Sequence, residues 1–396
     1  MTGYNIKDLV KNNSTPFYIF DKDILKNRMN ELSKRITPNA ELCYAIKANP
    51  FLIPLLQNTG ILFEVCSPGE LEICKSYNVN PEQIVFSGVC KTSEDIKVAY
   101  NYNVKTITLE SLLHCQFLIN LIKGEKHPHE QEVILRLTSG NQFGMSKNDI
   151  QNCITMLKEI PSIKIRGIHY FSGTQKKINK IIQEISFIQE YCKELSITNN
   201  IKISDIEYGP GLSFKYFEEN KLKPNNDFSE FESLMFELKN SSFHWVIELG
   251  RYIAASCGSY VTRIKDLKAD DDKKYCIIDG GINHINYYGQ IMGMKIPDID
   301  FIKTNSDNKK YESGKYTICG SLCTTADVIL RELELSEPSI NDIFIFKNIG
   351  AYSITEGVYL FLSHPLPFVF IKQNDKIIKV RDNLKTSIIN SYSNKI

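Results

Sequence analysis

A (β/α)8 TIM barrel with a separate C-terminal β domain is the architecture the 396-residue sequence predicts, on three observations. Eight short apolar, β-branched runs recur through the first two-thirds of the chain, each followed by a helix-like stretch. Such alternation implies parallel strands joined by helical crossovers, and eight units over roughly 250 residues favour a closed barrel over a doubly wound open sheet. Beyond about residue 256 the chain reads as strands and turns, the pattern of an antiparallel β-barrel or sandwich. The barrel is placed at 22–255 and the β domain at 1–21 with 256–396.

In order, the barrel strands are LCYAIK (42–47), ILFEVC (61–66), QIVFSG (83–88), VKTITLE (104–110), EVILRL (132–137), KIRGIHYF (164–171), ISDIEYG (203–209) and FHWVIEL (243–249). Helical stretches between them include SPGELEICKSYN (67–78), SLLHCQFLINLIKG (111–124), SKNDIQNCITMLKEI (146–160) and KKINKIIQEISFIQEYCKEL (176–195). The β domain reads SYVTRI (259–264), KKYCIIDGG (273–281), KYTICG (315–320), DIFIFKN (342–348) and FVFIKQNDKIIKVR (368–381), with a turn at Asn374–Asp375. The strand-like STPFYIFDKD (14–23) precedes the first barrel helix and is expected to pair into that domain.

Hydrophobic content of 42% and charged content of 23% are those of an ordinary globular protein. A net charge of +1 gives no reason to expect nucleic acid or an acidic surface as partner. No run approaches the roughly 18 apolar residues of a membrane span, and MTGYNIKDLVKNN has no signal-like apolar stretch. Eleven scattered cysteines without a CxxC pair point to reduced thiols in the cytoplasm, with no disulfide framework and no metal site.

A barrel gathers functional residues at the C-terminal ends of its strands. Unusual residues do collect there. Lys47 closes the first strand, where burial would leave a neutral, nucleophilic amine. The bland reading is an edge lysine that snorkels to water. Glu64 and Ser67 flank the second strand, Arg136 ends the fifth, and His169 ends the sixth with Gly173 and Thr174 in its loop. Gly209 and Gly211 form GPG after the seventh, and Glu248, Gly250 and Arg251 end the eighth. Arg136 reads equally well as a barrel-core ion pair, GPG as a tight turn, and Cys323 as one more buried small hydrophobe.

Nine stretches in register resemble the fold-type III pyridoxal-phosphate decarboxylases, the diaminopimelate, ornithine and arginine decarboxylase family with an alanine-racemase-like barrel. They are PFYIFD (16–21), YAIKANP (44–50), FEVCSPGE (63–70), QFGMS (142–146), GIHYFSGTQ (167–175), EYGPGLSF (207–214), ELGRYIAA (248–255), GSLCTTAD (320–327) and NIGAYS (348–353). The resemblance implies pyridoxal 5'-phosphate as cofactor, amino-acid decarboxylation, and a homodimer with shared active sites. Lys47 matches the Schiff-base lysine, and Glu248 matches the glutamate paired with the pyridine nitrogen. Racemases of this fold place an arginine there, so Glu248 favours decarboxylation over racemisation. The GPG glycines, Arg251, Thr174 and Tyr352 are implied phosphate contacts. Cys323 matches a cysteine contributed across the dimer interface that reprotonates the carbanion. Asp327 matches an aspartate of the same loop.

The departures concern substrate. Thr324 stands where relatives carry Asp or Glu for a distal amine, and a neutral hydroxyl pairs poorly with a desolvated ammonium. Asn286, Tyr287 and Tyr288 stand where diaminopimelate enzymes carry an arginine, although the tyrosines are equally read as interface packing. Phe171 replaces a ring-stacking histidine, keeping the stacking. "GGINHINYYGQIMGMKIP" with "HYFSGTQ" resembles a divergent biosynthetic-cluster branch acting on carrier-attached amino acids. A free diaminopimelate- or ornithine-type substrate and a racemase are the alternatives.

Overall fold

The computed structural model describes residues 6–217, 227–270, 272–304 and 311–392. The chain divides into two compact units: 31–214 with 227–252, and 1–30 with 215–226 and 253–396.

After β1 (Phe17–Asp21) come the eight strands of a closed parallel barrel. They are β2 (Ala40–Ala45), β3 (Leu62–Val65), β4 (Ile84–Phe86), β5 (Thr106–Leu109), β6 (Gln131–Leu137), β7 (Ile163–Phe171), β8 (Asp205–Gly209) and β9 (His244–Leu249). β9 returns to β2 with Cys43 opposite Glu248, which closes the ring. Ser67, Ser111 and Ser146 each accept a backbone N–H at the start of the following helix, and Thr92 forms a full capping box with Asp95. Each cap stabilises its helix by about 1 kcal/mol and fixes where a loop stops and a helix begins. An apolar layer of Cys43, Leu62, Val85 and Val246 fills the barrel interior. Polar side chains crowd the C-terminal side of that layer.

Lys47 lies two residues beyond its strand rather than closing it. β2 stops at Ala45 and Lys47 sits in the 3-10 turn Ile46–Ala48. Pro50 disfavours helical backbone at Asn49, which is extended at φ −171° and caps Phe51 N with its side chain. The turn is thus pinned between a strand end and an Asn-Pro break.

The other unit is built on a nine-stranded sheet whose main path runs β14-β13-β11-β10-β1-β16-β17. Its later strands are β10 (Gly258–Asp270), β11 (Lys273–Ile278), β12 (Ile299–Ile302), β13 (Gly314–Cys319), β14 (Val328–Leu335), β15 (Ile343–Lys347), β16 (Phe368–Gln373) and β17 (Lys376–Arg381). β1 joins it as expected, antiparallel to β10 and parallel to β16. With β11–β13 also parallel, the sheet is mixed rather than wholly antiparallel. Asn374, at φ +51°, forms the turn of the terminal hairpin. β12 and β14 were not expected: the first is four residues long, and Arg331–Glu334 interrupt the apolar pattern of the second.

The expectation of uniformly reduced thiols is corrected by a disulfide between Cys115 and Cys153, which joins the helices Leu112–Gly124 and Lys147–Lys158. Both cysteines are fully buried, a face-to-face placement that no local sequence motif reveals. Among the described residues no helix is long and apolar enough to cross a membrane.

Candidate active site

The C-terminal end of the barrel is lined by ionisable side chains from successive strands. Lys47 Nζ donates to Glu64 Oε1 at 2.8 Å and Oε2 at 2.7 Å, and Cys66 Sγ lies 3.4 Å away. The amine is therefore ion-paired, and 43% of the Lys47 side chain is open. A deeply buried lysine is not what the fold builds. Glu70 braces the same loop by accepting Cys66 N at 2.7 Å.

Glu248 ends β9 beside Lys47's strand and is almost wholly buried. His169 Nε2 straddles the carboxylate, 3.4 Å from Oε2 and 3.3 Å from Oε1, and Oε1 makes no well-aligned hydrogen bond among the described residues. Burial alone would push this carboxyl up, but His169, Glu207 and Lys47 together outweigh it and hold the carboxyl well below its usual range.

Gly209 and Gly211 make room. A Cβ on Gly209 would stand 2.5 Å from the Phe171 ring and 3.3 Å from Glu248 Oε2. A Cβ on Gly211, where φ is +62°, would strike Gly173 O at 2.2 Å and Thr174 Cα at 2.9 Å. The two loops therefore touch backbone to backbone, which only glycine permits. Lys176 ties them together: its N–H donates to Gly211 O, and its buried amine reaches Glu184 Oε2 at 2.5 Å, Ser172 Oγ at 3.0 Å and Gly209 O at 3.4 Å. Tyr208 donates to the same Glu184.

Arg136 donates from Nη1 to Glu110 Oε2 at 2.8 Å and packs over the Phe143 ring, the core ion pair that was one of its two readings. Nearby Lys91 is buried, donates to Ser87 O and Gly88 O, and is pushed down to about 8 by burial. Gly250 and Arg251 follow β9, with Arg251 opening the helical turn Arg251–Ala254.

The remaining expected residues belong to the other unit. Cys323 and Thr324 are exposed in the loop after β13. Asp327 does not face substrate in this chain: it is 3% exposed and its two oxygens accept Ile282 N and Leu322 N at 2.8 Å, fixing that loop. Tyr287 is likewise corrected to packing, with its hydroxyl on Lys347 O and its ring against Tyr216 and Phe217. Tyr288 is exposed. Tyr352 lies in the loop after β15 at φ +68°.

Sequence reasoning missed Cys66, Lys91, Lys176, Glu184 and Glu207. Glu207 had a signal: it alternates with Asp205 and Gly209 along β8.

The site fits pyridoxal phosphate: a buried carboxylate oxygen without a hydrogen bond of its own, a glycine-lined cradle and an open lysine amine stand together on one barrel end. Residues 22–255 match the family model of the pyridoxal-dependent decarboxylase, pyridoxal binding domain, and the chain belongs to that family. It is a pyridoxal-phosphate-dependent decarboxylase. The chain is 26% identical to an L-glutamyl-[BtrI acyl-carrier protein] decarboxylase of Niallia circulans, over 95% of this chain and 93% of that one. It is 27% identical to a 2-[(L-alanin-3-ylcarbamoyl)methyl]-2-hydroxybutanedioate decarboxylase of Staphylococcus aureus, over 90% and 94%. The fold matches diaminopimelate decarboxylase of Helicobacter pylori complexed with L-lysine, with a TM-score of 0.83, 21% identity, and 98% of each chain covered.

Proposed function

We propose that this decarboxylase removes the α-carboxyl group of an amino acid attached to a bulky, weakly charged remainder such as an acyl carrier. We further propose that it works as a dimer in the cytoplasm. Pyridoxal phosphate, when bound, supplies the electron sink for the pair that carbon dioxide leaves behind. In this reading Lys47 would hold the cofactor, with Glu248 the acid that would favour a protonated ring nitrogen and Phe171 the aromatic side chain that would lie against the ring. The Gly173–Thr174 and Gly209–Gly211 loops, with Arg251, would receive the phosphate. Cys323, reaching in from a partner chain, returns a proton to the α-carbon, with Thr324 beside it facing substrate. The carrying observation is that Lys47 follows β2 and Glu248 lies near the end of β9, the strand paired directly with β2, Cys43 being opposite Glu248.

The substrate reading rests on Thr324, exposed and neutral, and on the run Tyr288, Ile291, Met292 and Met294, all exposed on one segment. Such a surface suits a large, weakly charged group better than a small cation or dianion. The relative from Niallia circulans acts on a carrier-bound glutamate, as its name states. Nine of the eleven cysteines are free, which favours the cytoplasm, while the Cys115–Cys153 bond weighs the other way.

Carbon dioxide release from free diaminopimelate, ornithine and glutamate, and from the same amino acids as carrier thioesters, tests the proposal. Turnover confined to the carrier-bound set is expected; efficient turnover of free diaminopimelate or ornithine overturns it. For the shared site, inactive Lys47→Ala and Cys323→Ala proteins are mixed. Restored activity is expected, and none at all refutes sharing.

A further inference from the structure

Beneath Glu248 lies a second carboxyl with nothing yet assigned to it. Glu207, on β8, is paired in register with His169 on β7 and Val246 on β9. One ligand atom from each of His169, Glu207 and Glu248 falls within a cluster no more than 4.8 Å across. Glu207 is wholly buried, and neither of its oxygens meets a hydrogen-bond donor among the described residues.

An ionised carboxylate in that position would be an uncompensated buried charge, which costs several kcal/mol. Two carboxyls this close, both out of water, do not both ionise. One proton must be shared, and its location follows from the neighbours. Glu248 has the His169 ring nitrogen beside it and Lys47 nearby, both of which favour its anion. Glu207 faces Glu248 and Glu64, which repel its anion, and Cys43, which burial keeps as a thiol. Among the described residues Lys47 opposes them. Towards the N-terminal mouth, a cavity of about 500 Å³ has Glu207 in its wall together with Glu41, Lys105, Glu132, Arg166, Asp205 and His244. Those charges pair with one another, Lys105 with Glu41 and Arg166 with Asp205 and Glu132, and offer Glu207 no donor.

We propose that Glu207 is a neutral carboxylic acid whose O–H donates to Glu248, so that His169 and Glu207 together set the orientation and charge of the carboxylate beneath the cofactor. Glu207 is then a positioning residue that acts through Glu248, and its role in catalysis rests on the reading of Glu248 given above. Burial pushes the Glu207 carboxyl well up, in keeping with that assignment.

The test is infrared difference spectroscopy on the apoprotein at neutral pH, with Glu207→Gln and Glu248→Gln. The wild-type minus Glu207→Gln spectrum is expected to carry the C=O stretch of a protonated carboxyl. Glu70 and Asp327, whose carboxyls burial also raises, cancel in that difference. Glu248→Gln is expected to keep the band but move it to higher frequency, because a charged acceptor becomes a neutral one. Absence of the band from the difference spectrum overturns the proposal, as does a band that Glu248→Gln leaves unmoved. In the holoenzyme, Glu207→Gln retains a donor and keeps cofactor affinity within about threefold, whereas Glu207→Leu weakens it about tenfold or more. Equal affinity in the two variants also overturns it. If the infrared result holds while Glu248→Gln remains fully active, the reading of Glu248 has failed and the proton assignment has not.

Discussion

Lys47 Nζ stands 2.7 Å from Glu64 Oε2, so the amine that would carry the cofactor is held by an acid on the next strand. Lys47→Arg keeps a cation for Glu64, and the fold is expected to survive with little change in melting temperature. A guanidinium stays protonated and is no nucleophile. Borohydride reduction in the presence of pyridoxal phosphate is therefore expected to label the Lys47 peptide in the wild type and nothing in Lys47→Arg. Lys91, pushed down to about 8, is the competing amine; a label there in both proteins would remove the assignment of Lys47.

The glycine loops proposed to receive the phosphate are tied together by Lys176. Lys176→Met strips Glu184 of its buried counter-charge and Gly209 O of a donor. Breaking a buried pair from one side costs roughly 3–5 kcal/mol of stability. The double variant Lys176→Met with Glu184→Leu removes the stranded charge and is expected to regain much of that loss. Cofactor affinity, measured by titrating apoprotein, is expected to stay about tenfold weaker in both, since the loop tie is gone either way. Recovery of affinity in the double variant would show that charge balance alone mattered.

How much of this was legible beforehand follows from the kind of signal each part leaves. The strands 104–110, 132–137, 164–171 and 243–249 are found within two residues of their observed limits, because local apolar runs bounded by turn residues decide them. Glu64, His169 and Glu248 could be placed at the barrel mouth from strand ends alone. The Lys176–Glu184–Tyr208 network could not: it joins a loop, a helix and a strand whose closeness is tertiary. For the same reason Asp327 was read as a site residue, since nothing local shows that Ile282 and Leu322 occupy both of its oxygens.

The Cys115–Cys153 bond closes a loop of 38 residues. In the chain-entropy picture this restrains the unfolded state by about 4 kcal/mol, with measured disulfides falling between roughly 0 and 5. Alkylation of denatured, unreduced protein is expected to modify nine of the eleven cysteines, and prior reduction all eleven. Reduction or Cys115→Ala with Cys153→Ala is expected to lower the denaturation midpoint. Eleven alkylated cysteines without reduction would show that the bond does not form.

His284 is 3% exposed, with Nδ1 2.9 Å from the Tyr260 hydroxyl, and burial pushes it down to about 3. Unfolded, it titrates near its ordinary value of about 6.5. Between those values the unfolded chain binds a proton that the folded chain refuses, so stability falls with acidification across that window. At pH 5 the contribution is roughly 2 kcal/mol against the fold. His284→Asn is expected to be less stable at neutral pH but to lose less on going from pH 7 to pH 5. An unchanged slope would assign the acid sensitivity to another group, of which His114, pushed down to about 4, is the first candidate.

Glu248→Gln separates holding the cofactor from using it. Lys47 and the glycine cradle are untouched by this change, so borohydride is expected to label the Lys47 peptide as in the wild type. The buried negative charge is gone, however, and a neutral amide cannot favour a protonated ring nitrogen. Removing one preorganised electrostatic contact of this kind lowers turnover by about 10²–10³-fold. Carbon dioxide release is expected to fall by that factor with the label intact. His169 also loses the charge it faces, 3.4 Å away, so His169→Gln on top of Glu248→Gln is expected to cost little more. Losses that simply multiply would show two independent roles, and an undiminished Glu248→Gln would show that this carboxylate is not what makes the lysine useful.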